Sequence, residues 1–263
     1  MRNRVHIIYL ILFVIALACN KEDSGLNQNN TGLLYQLEFD HVLYSEYTYN
    51  ASSQILEEKS KLHYTRHNYK AGKLISSDYY VDPGMFSSTA EIADASFNRK
   101  EWVDPTNTEK SSTNNYFYDD KGQFIKSSNN LNSCEYSYDE KNRINRQTFF
   151  HENERTGYLD FSYDENDNLI RKQHYWILDS GDSELQTTTE YEFDNKLNPY
   201  KAFSSLMIPG QNTNTNNIIR ETYILHFEVD QYTENVQITE NDYTYNSLGF
   251  PATKNNSVNY IYH

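Results

Sequence analysis

The chain has 263 residues, 15% of them aromatic and 23% charged, with 24 tyrosines and a formal charge of −14. A surface this acidic repels phosphate backbones, so nucleic acid is excluded as an expected partner. Of the two cysteines, Cys19 lies in a targeting segment, which leaves Cys134 alone and excludes a disulfide framework.

The chain begins with Arg2 and Arg4 followed by an apolar run from Ile7 to Ala18. This is the layout of a secretion signal, and the run is too short to cross a ~30 Å hydrocarbon core as a helix. Cys19 stands where lipoprotein processing leaves an acylated cysteine, which would act as a membrane anchor. The alternative is that Ala16-Leu17-Ala18 serves the ordinary signal peptidase and Cys19 is incidental, because Ala16 occupies a position where Leu is usual. Lys21-Glu22-Asp23 follows at once and resembles the surface-export signal of Bacteroidota lipoproteins. That resemblance implies an outer-membrane lipid anchor with the protein facing the cell exterior. Residues 1–18 are therefore expected to be a signal peptide and 19–32 a lipidated cysteine with a flexible polar tether. Residues 33–263 remain for the folded domain.

Leu33, Tyr35, Leu37, Phe39, His41, Leu43, Ser45, Tyr47 and Tyr49 occupy every second position. This alternation marks a half-buried strand rather than a helix. At ~3.4 Å per residue one straight strand would exceed about 50 Å, so a bend or bulge is expected within it.

An internal repeat follows. Tyr116-Phe-Tyr118-Asp-Asp-Lys-Gly122-Gln-Phe124 recurs as Tyr136-Ser-Tyr138-Asp-Glu-Lys-Asn142-Arg-Ile144 and as Phe161-Ser-Tyr163-Asp-Glu-Asn-Asp167-Asn-Leu169. Degenerate copies begin at Tyr47, Tyr191 and Tyr243, and Lys70 to Ile75 keeps only a turn and an exit strand. Each copy is expected to form a hairpin. Asp119 starts a type I turn, and Gly122 takes the left-handed conformation that closes a three-residue loop. Gly72, Asn142, Asp167 and Gly249 suit that position, whereas Ser53 and Leu197 do not, so those two turns are expected to differ. Tyr118 then faces Phe124, Tyr138 faces Ile144 and Tyr163 faces Leu169.

One step further out, the same register sets Tyr116 against Lys126, Tyr136 against Arg146, Phe161 against Arg171 and Tyr191 against Lys201. A cation over each ring would stabilise an aromatic sheet face near water. The same four aromatic residues are also the candidate ligand face, able to stack sugars.

Two stretches interrupt the meander. Residues 87–102 have the composition of a short surface helix capped by Ser88 or Thr89. Pro209 to Asn217 is a polar loop, and Ile219–Val229 with Gln231–Tyr245 is expected to be one more strand pair. The search for catalytic chemistry finds no phosphate loop, nucleophile elbow or zinc motif. His63 and His67 lie ~13 Å apart on a strand and cannot chelate together. Asp164, Asn166 and Asn168 imitate the start of a calcium loop, but Leu169 and Tyr175 stand where Gly and a bidentate Glu are needed. The acid pairs Asp119–Asp120, Asp139–Glu140 and Asp164–Glu165 are those a glycoside hydrolase would need, but turn chemistry alone favours Asp there. No catalytic residue, metal site or cofactor is assigned.

The Tyr-x-Tyr-Asp hairpins resemble the YD repeats of large secreted bacterial proteins. Together with the signal, Asn198-Pro199-Tyr200 and the Tyr243 to Pro251 stretch, they resemble a Bacteroidota surface lipoprotein family of unknown function with a porin-like β fold. That resemblance implies an antiparallel meander and a surface location, and no activity. The expected fold is all-β, an antiparallel meander of hairpin repeats in a strongly curved or closed, barrel-like sheet. The expected function is a non-enzymatic cell-surface binding or interaction module for a glycan or surface protein. The alternatives are a glycan-binding accessory protein of a nutrient-uptake system and a glycoside hydrolase.

Overall fold

The structure, a computed structural model, describes residues 32–81, 102–227 and 235–263. Among them are seventeen strands: β1 (Leu34–Phe39), β2 (Val42–Tyr49), β3 (Ile55–Ser60), β4 (His63–Lys70), β5 (Lys73–Val81), β6 (Ser112–Tyr118), β7 (Phe124–Asn129), β8 (Asn132–Tyr138) and β9 (Ile144–His151). The rest are β10 (Glu154–Tyr163), β11 (Leu169–Ile177), β12 (Ser183–Phe193), β13 (Ile218–Leu225), β14 (Val236–Glu240), β15 (Tyr243–Tyr245), β16 (Pro251–Lys254) and β17 (Val258–Tyr262).

From β1 to β14 each strand pairs antiparallel with the next, and β17 returns to pair with β1. The sheet is curled but not closed. Among the described residues β14 pairs with β13 alone and β15 with β16 alone. The step between them is Asn241-Asp242. Asn241 N–H donates to the Ile219 carbonyl and Asn255 N–H donates to the Asp242 carbonyl, each at 2.8 Å. The expected final strand pair thus forms, but its second strand changes neighbour midway. Residues 228–234 lie outside the described residues, as does nearly all of the helix expected at 87–102.

The meander gives the curl two ends. The Tyr-x-Tyr-Asp turns lie at one, here the repeat end, where Leu34 pairs with Tyr262. At the far end are tighter connections such as Asp40-His41, with φ of 47° and 65°. This two-residue turn corrects the expected long strand, since residues 33–49 fold back on themselves as β1 and β2. A bulge at Tyr35 also switches the phase, so Leu34 and Leu37 are buried together while Tyr35 reaches Glu46 on the other face.

The repeat turns have a common chemistry. Asp119 Oδ1 accepts the Lys121 and Gln123 amides at 3.0 and 2.7 Å, and Asp139 does the same for Lys141 and Arg143. Asp164, Asn50 and Asn246 repeat the pattern. Gly122, Asn142, Asp167 and Gly249 take the expected positive φ. Ser53 takes it too, with φ of 57°, because the Asn50 side chain holds the turn against that cost. That corrects the expectation for Ser53. Leu197 does depart from the pattern, as expected, and the chain there leaves the sheet altogether.

Tyr118 faces Phe124, Tyr138 faces Ile144 and Tyr163 faces Leu169, as expected. Immediately beyond, each exit strand carries an extra residue: Ile125, Asn145 or Ile170. The tyrosine before each turn donates its hydroxyl to the carbonyl of the bulge-side residue one hairpin earlier. Tyr69 bonds Ile55 at 2.8 Å, Tyr118 bonds Leu74 at 2.9 Å, Tyr138 bonds Phe124, and Tyr163 bonds Ile144 at 2.7 Å. A slipped ladder leaves carbonyls in need of a partner, and a buried orphan costs about 1–3 kcal/mol. The repeated tyrosine satisfies one per hairpin.

The core fills the repeat end from within. Between β12 and β13 the chain turns inward as a short 3₁₀ helix, Pro199–Leu206, whose Phe203 packs on Tyr47 at 4.9 Å between ring centres. Leu34, Leu37, Ile55 and Tyr260 complete this cluster, and Phe124, Ile144, Phe161 and Leu169 form a second one.

Candidate functional site

Cys19, Lys21, Glu22 and Asp23 lie outside the described residues. The four residues of the expected ligand face, Tyr116, Tyr136, Phe161 and Tyr191, all point inward and pack on the second cluster. Their cation partners are not the expected ones. The extra residue on each exit strand flips everything beyond it, because side chains alternate faces. Lys126 therefore stands opposite Phe117, Arg146 opposite Ser137 and Arg171 opposite Ser162, on the outer face. Arg146 pairs with Asp160 and lies over the Tyr158 ring at 4.1 Å. Lys201, carried off on the 3₁₀ helix, donates to the Thr213 carbonyl.

In place of cations, Tyr116 and Tyr136 have serines. Their hydroxyls lie 3.1 Å from Ser77 Oγ and 3.0 Å from Ser127 Oγ. Both rings border a hollow of about 230 Å³ shared with Cys134, Leu206 and Pro209. Cys134 is a free, half-buried thiol on a strand. His67 is buried, with Nδ1 2.8 Å from Ser77 Oγ, and burial pushes its pKa down to about 4 against the opposing field of Glu58.

The polar loop at 209–217 is the part whose role the sequence hid. Asn214 and Asn217 in the loop, and Asn168 and Asn198 beside it, are buried and hydrogen-bonded. Asn168 Oδ1 accepts the Thr215 and Asn216 amides, both at 2.9 Å, and Asn214 Oδ1 accepts the Leu169 amide at 2.8 Å. Asn198 Nδ2 donates to the Gln211 and Asn214 carbonyls, and Asn217 Nδ2 to Asp194. This web pins the inward loop to the β10–β11 and β12–β13 connections. Buried backbone polar groups require partners, and asparagine supplies a donor and an acceptor in little volume.

The fixed loop forms the floor of a cavity of about 840 Å³ against the inner faces of β1, β13 and β15 to β17. Tyr200, Tyr243 and Tyr260 supply ring walls, Leu37, Ile218 and Val258 apolar ones, and Asn198, Asn214 and Asn241 amides. The size is that of a small-molecule site. The cavity reaches the far end at the β1–β2 and β3–β4 turns, where Asp40, Val42 and Lys61 border it. Glu221 and Lys254 face into it from β13 and β16, both half-buried. Burial pulls the Lys254 ammonium below its ordinary pKa, and the Glu221 carboxylate partly opposes this. Burial raises the phenol pKa values of Tyr200 and Tyr260, and raises Tyr243 to about 12 with help from Asp194. All three are therefore neutral donors at physiological pH. Asn214 Nδ2 is buried and has no partner among the described residues.

Of these cavity residues, Leu37, Asn198, Tyr200, Asn214 and Tyr243 lie in stretches the sequence singles out, and Glu221, Asn241, Lys254, Val258 and Tyr260 belong to no motif. The detectable signal was the asparagine run beside an Asn-Pro-Tyr step. Neither feature could reveal that the loop enters the sheet.

No family profile matches the chain, and no curated protein does. Among solved structures it is similar to a porin-like protein from Bacteroides uniformis, at 12% identity over 88% of this chain and 98% of that one, with a TM-score of 0.42. A porin-like protein from Bacteroides vulgatus is similar over the same shares at 12% identity, with a TM-score of 0.39. Likeness at this level says nothing of a ligand, and the chemistry of the cavity rests on its own residues.

Proposed function

We propose that this chain is a non-enzymatic binding module, held at the outer membrane by a lipid on Cys19 and facing the cell exterior. The observation that carries the binding role is the cavity, a preformed hollow with ring, amide and charged walls on a floor immobilised by the asparagine web. Its geometry suits presentation from a membrane. The described chain starts at the repeat end, and the cavity reaches the surface at the far end. A tether ahead of Gly32 would leave the mouth away from the bilayer. The turn acids Asp119, Asp139 and Asp164 each hold two backbone amides, a structural use that supports assigning them no catalytic work.

A second reading, a glycan-binding accessory protein for nutrient uptake, is favoured by the tyrosine rings and amides sharing one cavity, since sugars stack on rings and bond to amides.

The test is to titrate the full chain, purified in detergent, against neutral oligosaccharides and surface polymers by calorimetry. Saturable binding that weakens at least tenfold in Tyr243→Ala is expected. Hydrolysis that disappears on changing one Asp or Glu would overturn the binding-only reading. For location, fatty-acid labelling of cells should be lost in Cys19→Ala, and protease added to intact cells should cut the protein. Label retained in the variant would remove the anchor, and resistance to protease in intact cells would remove the exposed orientation.

A further inference from the structure

We propose that the cavity takes a zwitterionic ligand, a short peptide with free termini, whose ammonium sits at Glu221 and whose carboxylate sits at Lys254. This rests on the cavity being the binding site and names what it binds. Glu221 stands on β13 and Lys254 on β16, on opposite sides of the step where the sheet fails to close. Neither makes an ion pair within 4.0 Å among the described residues. The two feel each other's field across the cavity, but neither is in ion-pair contact, so a ligand that supplies both contacts would offset the cost of half-burying them.

The charge pattern selects among ligand classes. A neutral sugar supplies an ion-pair contact to neither charge. An acidic sugar would satisfy Lys254 but place a net anion beside Glu221, within a chain of formal charge −14. A zwitterion answers both charges and adds no net charge. The rest of the wall combines apolar side chains and tyrosine rings, which suit the side chains of a peptide, with amides, which suit its backbone. Asn214 Nδ2, buried and unpartnered at the cavity floor, offers a further donor to a carboxylate or peptide carbonyl. Glu38, Asp40 and Lys61 also border the cavity. Asp40 and Lys61 lie in the far-end turns, where the charges are of mixed sign.

The experiment uses the full chain in detergent and three forms of tri-leucine: free, N-acetylated and C-amidated. Free tri-leucine is expected to bind, and either cap to weaken it about tenfold, the loss of one charge pair. Each variant that removes a charge should abolish one discrimination only. Lys254→Met should no longer distinguish the amide, Glu221→Gln should no longer distinguish the acetylated form, and Lys254→Arg should keep the wild-type preference. Unchanged thermal midpoints will show that the variants remain folded. Equal binding of all three forms, or no binding of the free peptide, overturns the proposal. If a neutral oligosaccharide binds in a Tyr243-dependent way while tri-leucine does not, the zwitterion assignment falls and the binding module stands.

Discussion

At the scale of the residue, the repeat is a set of hydrogen-bonding parts. Its Asp staples the turn, its Gly or Asn closes the loop, and its second Tyr satisfies the previous bulge. Gly122 has φ of 83°, and a β-branched residue is strained there, so Gly122→Val should destabilise by more than about 1 kcal/mol in a urea titration. Asn142→Gly should be neutral to within about 0.5 kcal/mol, since Asn142 already occupies that conformation. Tyr163→Phe leaves the Ile144 carbonyl without its hydroxyl and should cost about 1–3 kcal/mol, a larger effect than one lost surface contact. His67 adds a pH term. Its folded pKa, about 4, lies below the ordinary 6.5, so between those values the unfolded chain binds a proton that the folded one refuses. The His67 contribution to stability should therefore be level above pH 6.5 and fall by about 3 kcal/mol as pH drops to 4. The His67→Gln curve, subtracted from wild type, should isolate that slope.

At the scale of the element, hairpin register was legible only as far as the turn. The pairs Tyr118–Phe124, Tyr138–Ile144 and Tyr163–Leu169 follow from turn chemistry, which is local. The bulge just beyond them was not legible. An inserted residue is fixed by which face neighbouring strands must bury, and Ile125, Asn145 and Ile170 carry no signature of it. That one-residue slip moved Lys126, Arg146 and Arg171 to the outer face and put serines beside the inner tyrosines. The inward loop is the second case. In the sequence it is a run of turn-forming residues, and in the fold it is a cavity floor because Asn168, Asn198 and Asn214 bond its backbone to neighbouring turns. Asn168→Ala should free the Thr215 and Asn216 amides and cost about 2 kcal/mol. Hydrogen exchange should show faster protection loss in residues 198–217 while the β8–β9 hairpin keeps its protection.

At the scale of the molecule, the step at Asn241-Asp242 is where the curl is weakest. Asn241 Nδ2 donates to the Ile218 carbonyl, and its Oδ1 accepts from Asn255 Nδ2, so one side chain ties both sides of the opening. Asn241→Ala should leave β2 to β12 protected from exchange and speed exchange in β13 to β16. Uniform loss of protection would show that the step is not a local weak point. The sequence by itself determined the strand-rich class, the turns and the meander, because alternation and turn chemistry act over a few residues. The tertiary structure alone decided how far the sheet curls, which aromatic face is filled and where a cavity remains. Those depend on β17 returning to β1 and on residues 198–217 entering the curl. Both unite residues far apart in the chain, so no local pattern could place Glu221, Lys254, Tyr200 and Tyr260 around one space.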